Sequence, residues 1–503
     1  MTALEFEVIV LGGGPAGCAA ATLLARRSHR VALVRPTDTP AGALAESIPP
    51  SARPLFSELG VLDSVEAAGF FPNRGNTVWW AGRDERSEVF GADEAGFHVD
   101  RTGLERVLVA AAEQIGVRVL LGMSARKAVE TPDGWTVTCE ASDGGELELR
   151  APWVLDATGR HGLLARETRE PDRSTTTLAL VRRFRRDSAD ESIAHHTLIE
   201  SYEDGWAWSV PLSTTDRCVT AMIDQRHADL EGSDVGAMLN AEIGKTMHMM
   251  PTLQGAEPLG EAWACPASLY ASTSYGRPGM LLVGDAGSFI DPLSSFGVKK
   301  ALASGWLAGV AAHTALIDVP MTDMAVDFFD AREREVYRSF RRRSAEFFEE
   351  AADAYGHMYW SSRAEAARAA SGAGAASEIE GHMYEATGSP VPEAEVRAAH
   401  EVLRGRESLD AVANDAIRTI ERPTVRSDRI VLDRHLVTEA HPQGLRYAHG
   451  IDLVRVVELA PEHDQVPDLW NAYNAVGTPA DLPDFIAGLS TAFAVGLLVH
   501  EDV

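Results

Sequence analysis

The groups in this sequence best placed to do chemistry are a cluster of closely spaced glycines, a Gly-Asp pair closing an apolar run, and two tryptophans two residues apart. Gly12-Gly13-Gly14-Pro15-Ala16-Gly17 fits the pattern G-x-G-x-x-G. In such a turn Gly12 allows the tight bend, Gly14 lets backbone approach a pyrophosphate, and Gly17 lets a helix pack closely on a strand. A helix opening at Pro15 and Ala16 offers free N–H groups and a positive dipole end to phosphates. That chemistry is dinucleotide binding. Gly284-Asp285 ends the apolar run Gly279 to Val283, and a carboxylate at a strand C-terminus can hold a ribose or ribityl hydroxyl. Ile290-Asp291-Pro292 and Gly297 follow, at a turn whose N–H groups can face an electron-rich ring.

These groups need elements to position them. Residues 7 to 34 read as strand, turn, Ala-rich helix and strand, the context in which G-x-G-x-x-G carries weight. The second strand ends at Arg35, followed by Pro36, where an acidic residue usually meets the ribose. The ribose contact therefore differs, and Arg35 is expected near a phosphate or stacked on adenine. Trp153 to Asp156 is a further strand, running into Ala157-Thr158-Gly159-Arg160. The three segments in this order select FAD over a nicotinamide. Arg101 ends the strand Phe97 to Arg101 and enters a helix, Leu104 to Glu113. His161 is a candidate acid or base by position.

Composition excludes several classes. The chain has 503 residues, too many for one ordinary core, and a formal net charge of −28. That charge opposes nucleic acid and anionic membranes, which need clustered Lys and Arg. No apolar run is long enough to span a bilayer, and Met1 to Phe6 lead straight into a strand, so a cytoplasmic protein is expected. Cys18, Cys139, Cys218 and Cys265 are scattered, which argues against a zinc site, any other metal site or a disulfide framework.

GGGPAG, DATGRHGLLAR (156–166) and GDAGSFIDP (284–292) resemble the flavoprotein monooxygenase superfamily with the para-hydroxybenzoate hydroxylase fold, over roughly residues 5 to 345. Glu46-Ser47-Ile48-Pro49-Pro50 and Gly205-Trp206-Ala207-Trp208-Ser209-Val210-Pro211 narrow this to the flavin-dependent halogenases, whose W-x-W-x-I-P pattern the second segment is similar to. The resemblance places Trp206 and Trp208 by the tunnel between flavin and substrate, and implies flavin contacts at Glu46, Arg101 and Pro292. Two departures stand out. The halogenase lysine after Gly-Phe falls at Asn73 in Gly69-Phe70-Phe71-Pro72-Asn73-Arg74, and the flavin turn carries Phe296 where the family has a small residue. Asn73 to Trp80 and Asp291 to Lys300 look more like the halogenase-like monooxygenases that hydroxylate tryptophan during tryptophylquinone-type protein maturation.

The resemblance implies an α/β fold with α+β additions. A Rossmann-like FAD-binding domain (1–72, 97–166 and 275–345) interleaves with a β-sheet substrate domain (73–96 and 167–274). A helical segment (346–422) and a winged-helix-like module (423–503) complete the chain. In the module, Arg429 to Val437, Gly444 to Tyr447 and Leu453 to Leu459 are expected strands. Helices are expected over Ala325 to Ala354, Glu393 to Leu403, 466–474 and 480–494, and Ala364 to Ala376 reads as fraying helix and linker. Residues 423 to 503 hold twelve acidic residues against five Arg and no Lys, which disfavours DNA and leaves peptide recognition, a lid or a dimer contact open. The implied activity is an FAD-dependent monooxygenase acting through a flavin C4a-hydroperoxide on an indole-like aromatic, free or borne by a peptide or protein. O2 is the co-substrate, and NAD(P)H or a separate flavin reductase supplies electrons. Lys299, with Lys300 beside it, is a candidate for stabilising anionic flavin. A halogenase, and a non-catalytic flavoprotein maturation or binding partner, are the alternatives.

Overall fold

The computed structural model describes residues 3–37, 44–91, 95–173, 175–186, 193–227, 234–371, 391–476 and 479–500. In chain order the elements around the glycine turn are β1 (Val8–Leu11), α1 (Pro15–Arg26), β2 (Val31–Arg35), β3 (Ala45–Ile48), β4 (Phe71–Asn73), β5 (Gly96–Asp100), α2 (Arg101–Gln114), β6 (Arg118–Leu121), β7 (Trp153–Asp156), β8 (Met280–Leu282), α3 (Gly297–Ile317) and α4 (Thr322–Tyr355).

Strands β6, β2, β1, β7 and β8 form a parallel sheet in that order, with Gly276–Arg277 antiparallel on its β8 edge. Strands β1 and β2 are unbroken apolar runs apart from terminal Arg35, and both are buried throughout, as parallel strands covered on both faces must be. Small residues bring α1 and α3 together, since a Cβ on Gly305 would lie 2.1 Å from the Ala16 carbonyl oxygen. A three-stranded antiparallel sheet, β3-β5-β4, stands beside this layer. A seven-stranded sheet runs in the order Glu257–Pro266, Thr177–Arg185, Asp216–Asp224, Gly205–Pro211, His196–Tyr202, Gly75–Trp79 and Arg86–Val89. One face of it packs on Val235–Ile243 and its neighbours. The other packs on the end of α4 and on the helix Met358–Ser371, around the fully buried Trp360.

The chain divides into two compact units, Met1–Gly374 and Ala375–Val503. In the second, a hairpin pairs Arg418–Arg426 with Arg429–Val437. A two-residue strand pair turns at His449-Gly450, and helices Leu453–Leu459, Val466–Asn474 and Leu482–Ala494 follow. Helix Glu393–Arg404 joins the same core through Val396 and Leu403. The expected strand Leu453 to Leu459 is therefore a correction. Asp452 caps this segment by accepting from the Arg455 N–H, and capping selects the helix over a β-branched run's strand preference. The part of the expected linker beyond Ser371 lies outside the described residues.

Among the described residues, no helix is long and apolar enough to cross a membrane.

Candidate functional site

The glycine turn is shaped as its pattern demands. Gly12 takes φ +107°, and a Cβ there would lie 2.2 Å from the Ala157 carbonyl oxygen. A Cβ on Gly17 would lie 1.9 Å from the Gly12 oxygen, so only glycine lets α1 start this close to β1. Gly14 is the open position, with only the Glu105 carboxylate within 4 Å of where its Cβ would be. It caps α1 with no side-chain hydrogen bond, Pro15 follows in the first turn, and no acidic residue occupies that turn. The helix end thus keeps its N–H groups and positive dipole for an anion.

A line of alternating charge borders this opening. Arg35 is buried, with its stem over Gly13, and pairs with Glu105 at 3.4 Å. Glu105 pairs with Arg101 at 3.2 Å, and Arg101 with Glu46 at 3.5 Å. Burial pushes the Glu46 carboxyl up, against the pull of Arg101, with Asp285 and Arg160 also within electrostatic reach. Burial works against the Arg101 charge, but Glu46, Glu105 and Asp285 outweigh it and hold the guanidinium cationic. Glu46 and Arg101 thus meet from β3 and α2, with Asp285 of the turn after β8 within electrostatic reach. Sequence reasoning passed over Glu105, although its i+4 spacing from Arg101 on α2 was the available signal.

The two strand-end carboxylates part company. Asp156 is fully buried. It accepts from the Thr158 N–H at 3.0 Å, the Thr158 hydroxyl at 2.6 Å and the Leu164 N–H at 2.6 Å, so it braces its own loop. Asp285 is partly exposed and pairs with the Lys300 ammonium at 3.5 Å; its backbone oxygen accepts from the Tyr270 hydroxyl at 2.6 Å. Gly284 sits at φ +62°, with Ala16 of α1 2.8 Å from where a Cβ would be. The segment then passes through Pro292–Ser294, capped by Asp291, to Gly297 at the first turn of α3. Nothing lies within 4 Å of a Cβ on Gly297. Burial pushes the Asp291 carboxyl up to about 6, against the Leu293 N–H, Arg363 and Arg341.

Trp206 and Trp208 share a face of strand Gly205–Pro211 and stack at 5.1 Å. Trp80 meets Trp206 edge-on at 6.3 Å and donates to the Phe347 carbonyl at 2.9 Å. Phe289 and Leu293 of the flavin-type turn, and Leu44 beside β3, pack on the same cluster. The tryptophans are therefore brought to the turn. Other expected residues are not aimed there. Asn73 is 1% exposed, donates to Ser47 Oγ at 3.0 Å and Ile48 O at 3.3 Å, and accepts from the Gly75 N–H at 3.2 Å. Lys299 is buried with its ammonium on Ser51 Oγ at 3.0 Å and over the Phe296 ring. The lysine that reaches the Gly-Asp turn is Lys300. Phe296 packs on Phe340 of α4 at 5.9 Å, and His161 is exposed.

An open helix terminus, glycines at which a Cβ would collide with backbone and a partly exposed carboxylate suit the pyrophosphate and hydroxyls of FAD. The comparisons agree with that fit. The profile of the Tryptophan halogenase family matches residues 91–373, and that of FAD dependent oxidoreductases matches residues 7–168. Flavin-dependent halogenase armH3 of Armillaria mellea is 26% identical over 369 residues, covering 67% of this chain and 73% of its own. The structure of CmlS, a flavin-dependent halogenase, superposes with TM-score 0.75 at 22% identity, over 99% of this chain and 96% of that one. Peptidyl tryptophan dihydroxylase QhpG, essential for tryptophylquinone cofactor biogenesis, superposes with TM-score 0.64 at 21% identity, over 98% and 100%.

Proposed function

Because this chain belongs to the tryptophan halogenase family of FAD-dependent enzymes, we propose that it is a monooxygenase that transfers one oxygen atom from O2 to an electron-rich, indole-type aromatic. When bound, FAD supplies the electrons and the ring at which O2 is activated. Gly12, Gly14, Pro15, Ala16 and Gly17 hold the pyrophosphate at the α1 terminus. Arg35 covers the turn through Gly13 and Glu105. Glu46, Arg101 and Asp285 take the hydroxyl-bearing part, and Pro292 to Gly297 present backbone to the ring. Trp206, Trp208 and Trp80 wall the cleft against water, which oxygen transfer requires.

Asn73 carries the choice of hydroxylation over halogenation. Where halogenases hold a lysine amine, this chain has a neutral amide whose donors and acceptor are engaged by Ser47, Ile48 and Gly75. No amine stands there to capture a hypohalous species. The likeness to QhpG along 98% of the chain supports a tryptophan borne by a polypeptide as the substrate form. Electrons come from NAD(P)H or from a flavin reductase.

Halogenation is the second reading, supported by the family match and by the relatives' activity. Mass spectrometry of turnover with reduced flavin separates the two. Free tryptophan, other indoles, phenols and tryptophan-containing peptides would be offered with and without bromide. A halide-independent gain of oxygen is expected. A bromide-dependent gain with the bromine isotope pattern would replace the proposal with the second reading.

A further inference from the structure

We infer that Lys300 is a positioning residue for the Asp285 turn, and that the buried carboxyl of Glu333 tunes it. The inference rests on the reading that Asp285 contacts FAD. Lys300 lies in the first turn of α3, where the helix dipole disfavours a cation. It is also completely buried, a placement lysine almost never adopts without compensation. Among the described residues, its hydrogen bonds go to one turn. Its ammonium donates to the Gly284 carbonyl at 3.2 Å and to the Ser288 carbonyl, and pairs with the Asp285 carboxylate at 3.5 Å. Those acceptors span the turn from its first residue to its last, so one side chain ties both ends and the carboxylate between them.

Glu333, on α4, is likewise completely buried, and neither of its oxygens has a hydrogen-bond partner. Lys300 and the Ser304 hydroxyl favour its ionised form. Ser304 in turn accepts the Gly284 N–H at 2.8 Å, so the two α3 side chains that act electrostatically on Glu333 both bond to the turn. The groups acting on Glu333 are Lys300 and Ser304 from α3, Arg332 from its own helix and Asp285 from the turn. Tyr275, next to the edge strand Gly276–Arg277, also feels its charge. Burial pushes the Glu333 carboxyl up to about 7, with Lys300 opposing. Protonation of Glu333 leaves Asp285 as the one anion beside the Lys300 ammonium, whereas ionisation makes Lys300 serve two carboxylates. Lys300 sets the aim of Asp285 without contact to substrate.

The test is flavin affinity of the full chain, read by fluorescence titration of stripped protein with FAD from about pH 6 to 8.5. Asp285→Asn tests the underlying reading and is expected to lose affinity. Lys300→Met is expected to weaken FAD by at least about tenfold while the protein still unfolds cooperatively, and Lys300→Arg to weaken it less. Glu333→Gln is expected to flatten the pH dependence that the unaltered chain shows near pH 7. Loss by Asp285→Asn with full affinity in Lys300→Met overturns the inference alone. Full affinity in Asp285→Asn overturns the reading beneath it. If Lys300→Met does not fold, Glu333→Gln decides, and a pH profile identical to the unaltered chain's overturns the inference.

Discussion

Replacing Asn73 with lysine should not create a halogenase. The amide is buried and all three of its described hydrogen bonds hold β4 to β3 and to the Gly75 backbone. An ammonium there would lose the acceptor for the Gly75 N–H and bury a charge with only Ser47 and a carbonyl beside it. Asn73→Lys is expected to lower stability and to show no bromide-dependent product by mass spectrometry. Asn73→Ala should cost about 1–3 kcal/mol for the stranded partners, measured by urea unfolding. Asp285→Ala is expected to release flavin, seen as loss of the yellow chromophore on gel filtration. Asp285 and Asp156 illustrate what a single sequence can and cannot say about a residue. Both follow apolar strands and precede small residues. Asp156 finds its partners within eight residues and is consumed by its loop, while the Asp285 partner arrives from Lys300, brought back by α3. Only the fold distinguishes them.

Among the elements, the β1–α1 turn makes the sharpest prediction. A methyl on Gly17 would meet the Gly12 carbonyl oxygen at 1.9 Å, and that oxygen cannot move because Gly12 itself packs on the Ala157 backbone. Gly17→Ala must therefore push α1 off β1 and displace the N–H groups at Gly14. Loss of flavin binding is expected even where circular dichroism shows the helices intact. Retained flavin would show that the helix start tolerates a shift of this size. This element was legible because its glycines, its apolar strand and its proline each have a local reason. The same locality misled at Leu453 to Leu459. Val454, Val456 and Val457 favour a strand by type, yet all three are buried around a helix whose first turn Asp452 caps. Leu453, Val454, Val456 and Val457 contribute to the core of the second unit, and that tertiary burial outweighs a β preference spanning only about 1 kcal/mol. The seven-stranded sheet was expected only as a β-sheet domain implied by the resemblance, and neither its strands nor their order were read from the sequence. That order puts Gly75–Trp79 beside His196–Tyr202 in parallel, a pairing between segments more than a hundred residues apart.

For the whole molecule, two sets of wholly or partly buried groups pull stability in opposite directions with pH. His98, His196 and His435 are held below their ordinary value of 6.5, in each case chiefly by burial. The unfolded chain binds protons below about pH 6.5 that the folded chain refuses, so their contribution is lost as pH falls. Glu333 and Asp291 are raised, to about 7 and about 6, also chiefly by burial. Here the folded chain holds protons that the unfolded chain has released, so stability declines as pH rises toward those values and levels off above them. At about pH 6.5 the unfolded histidines are still half protonated, so between there and about pH 7.5 their gain and the Glu333 decline offset each other. The thermal midpoint of flavin-free protein is therefore expected to rise from about pH 5 and to level off near neutrality. The net charge of −28 adds self-repulsion, but salt screens charges at the surface far more than buried groups. The two causes separate in a scan from about pH 5 to 8.5 at low and high salt. Glu333→Gln should rise more steeply between about pH 5 and 7 than the unaltered chain at both salt concentrations. A Glu333→Gln profile parallel to the unaltered chain's at high salt would remove Glu333 from the account.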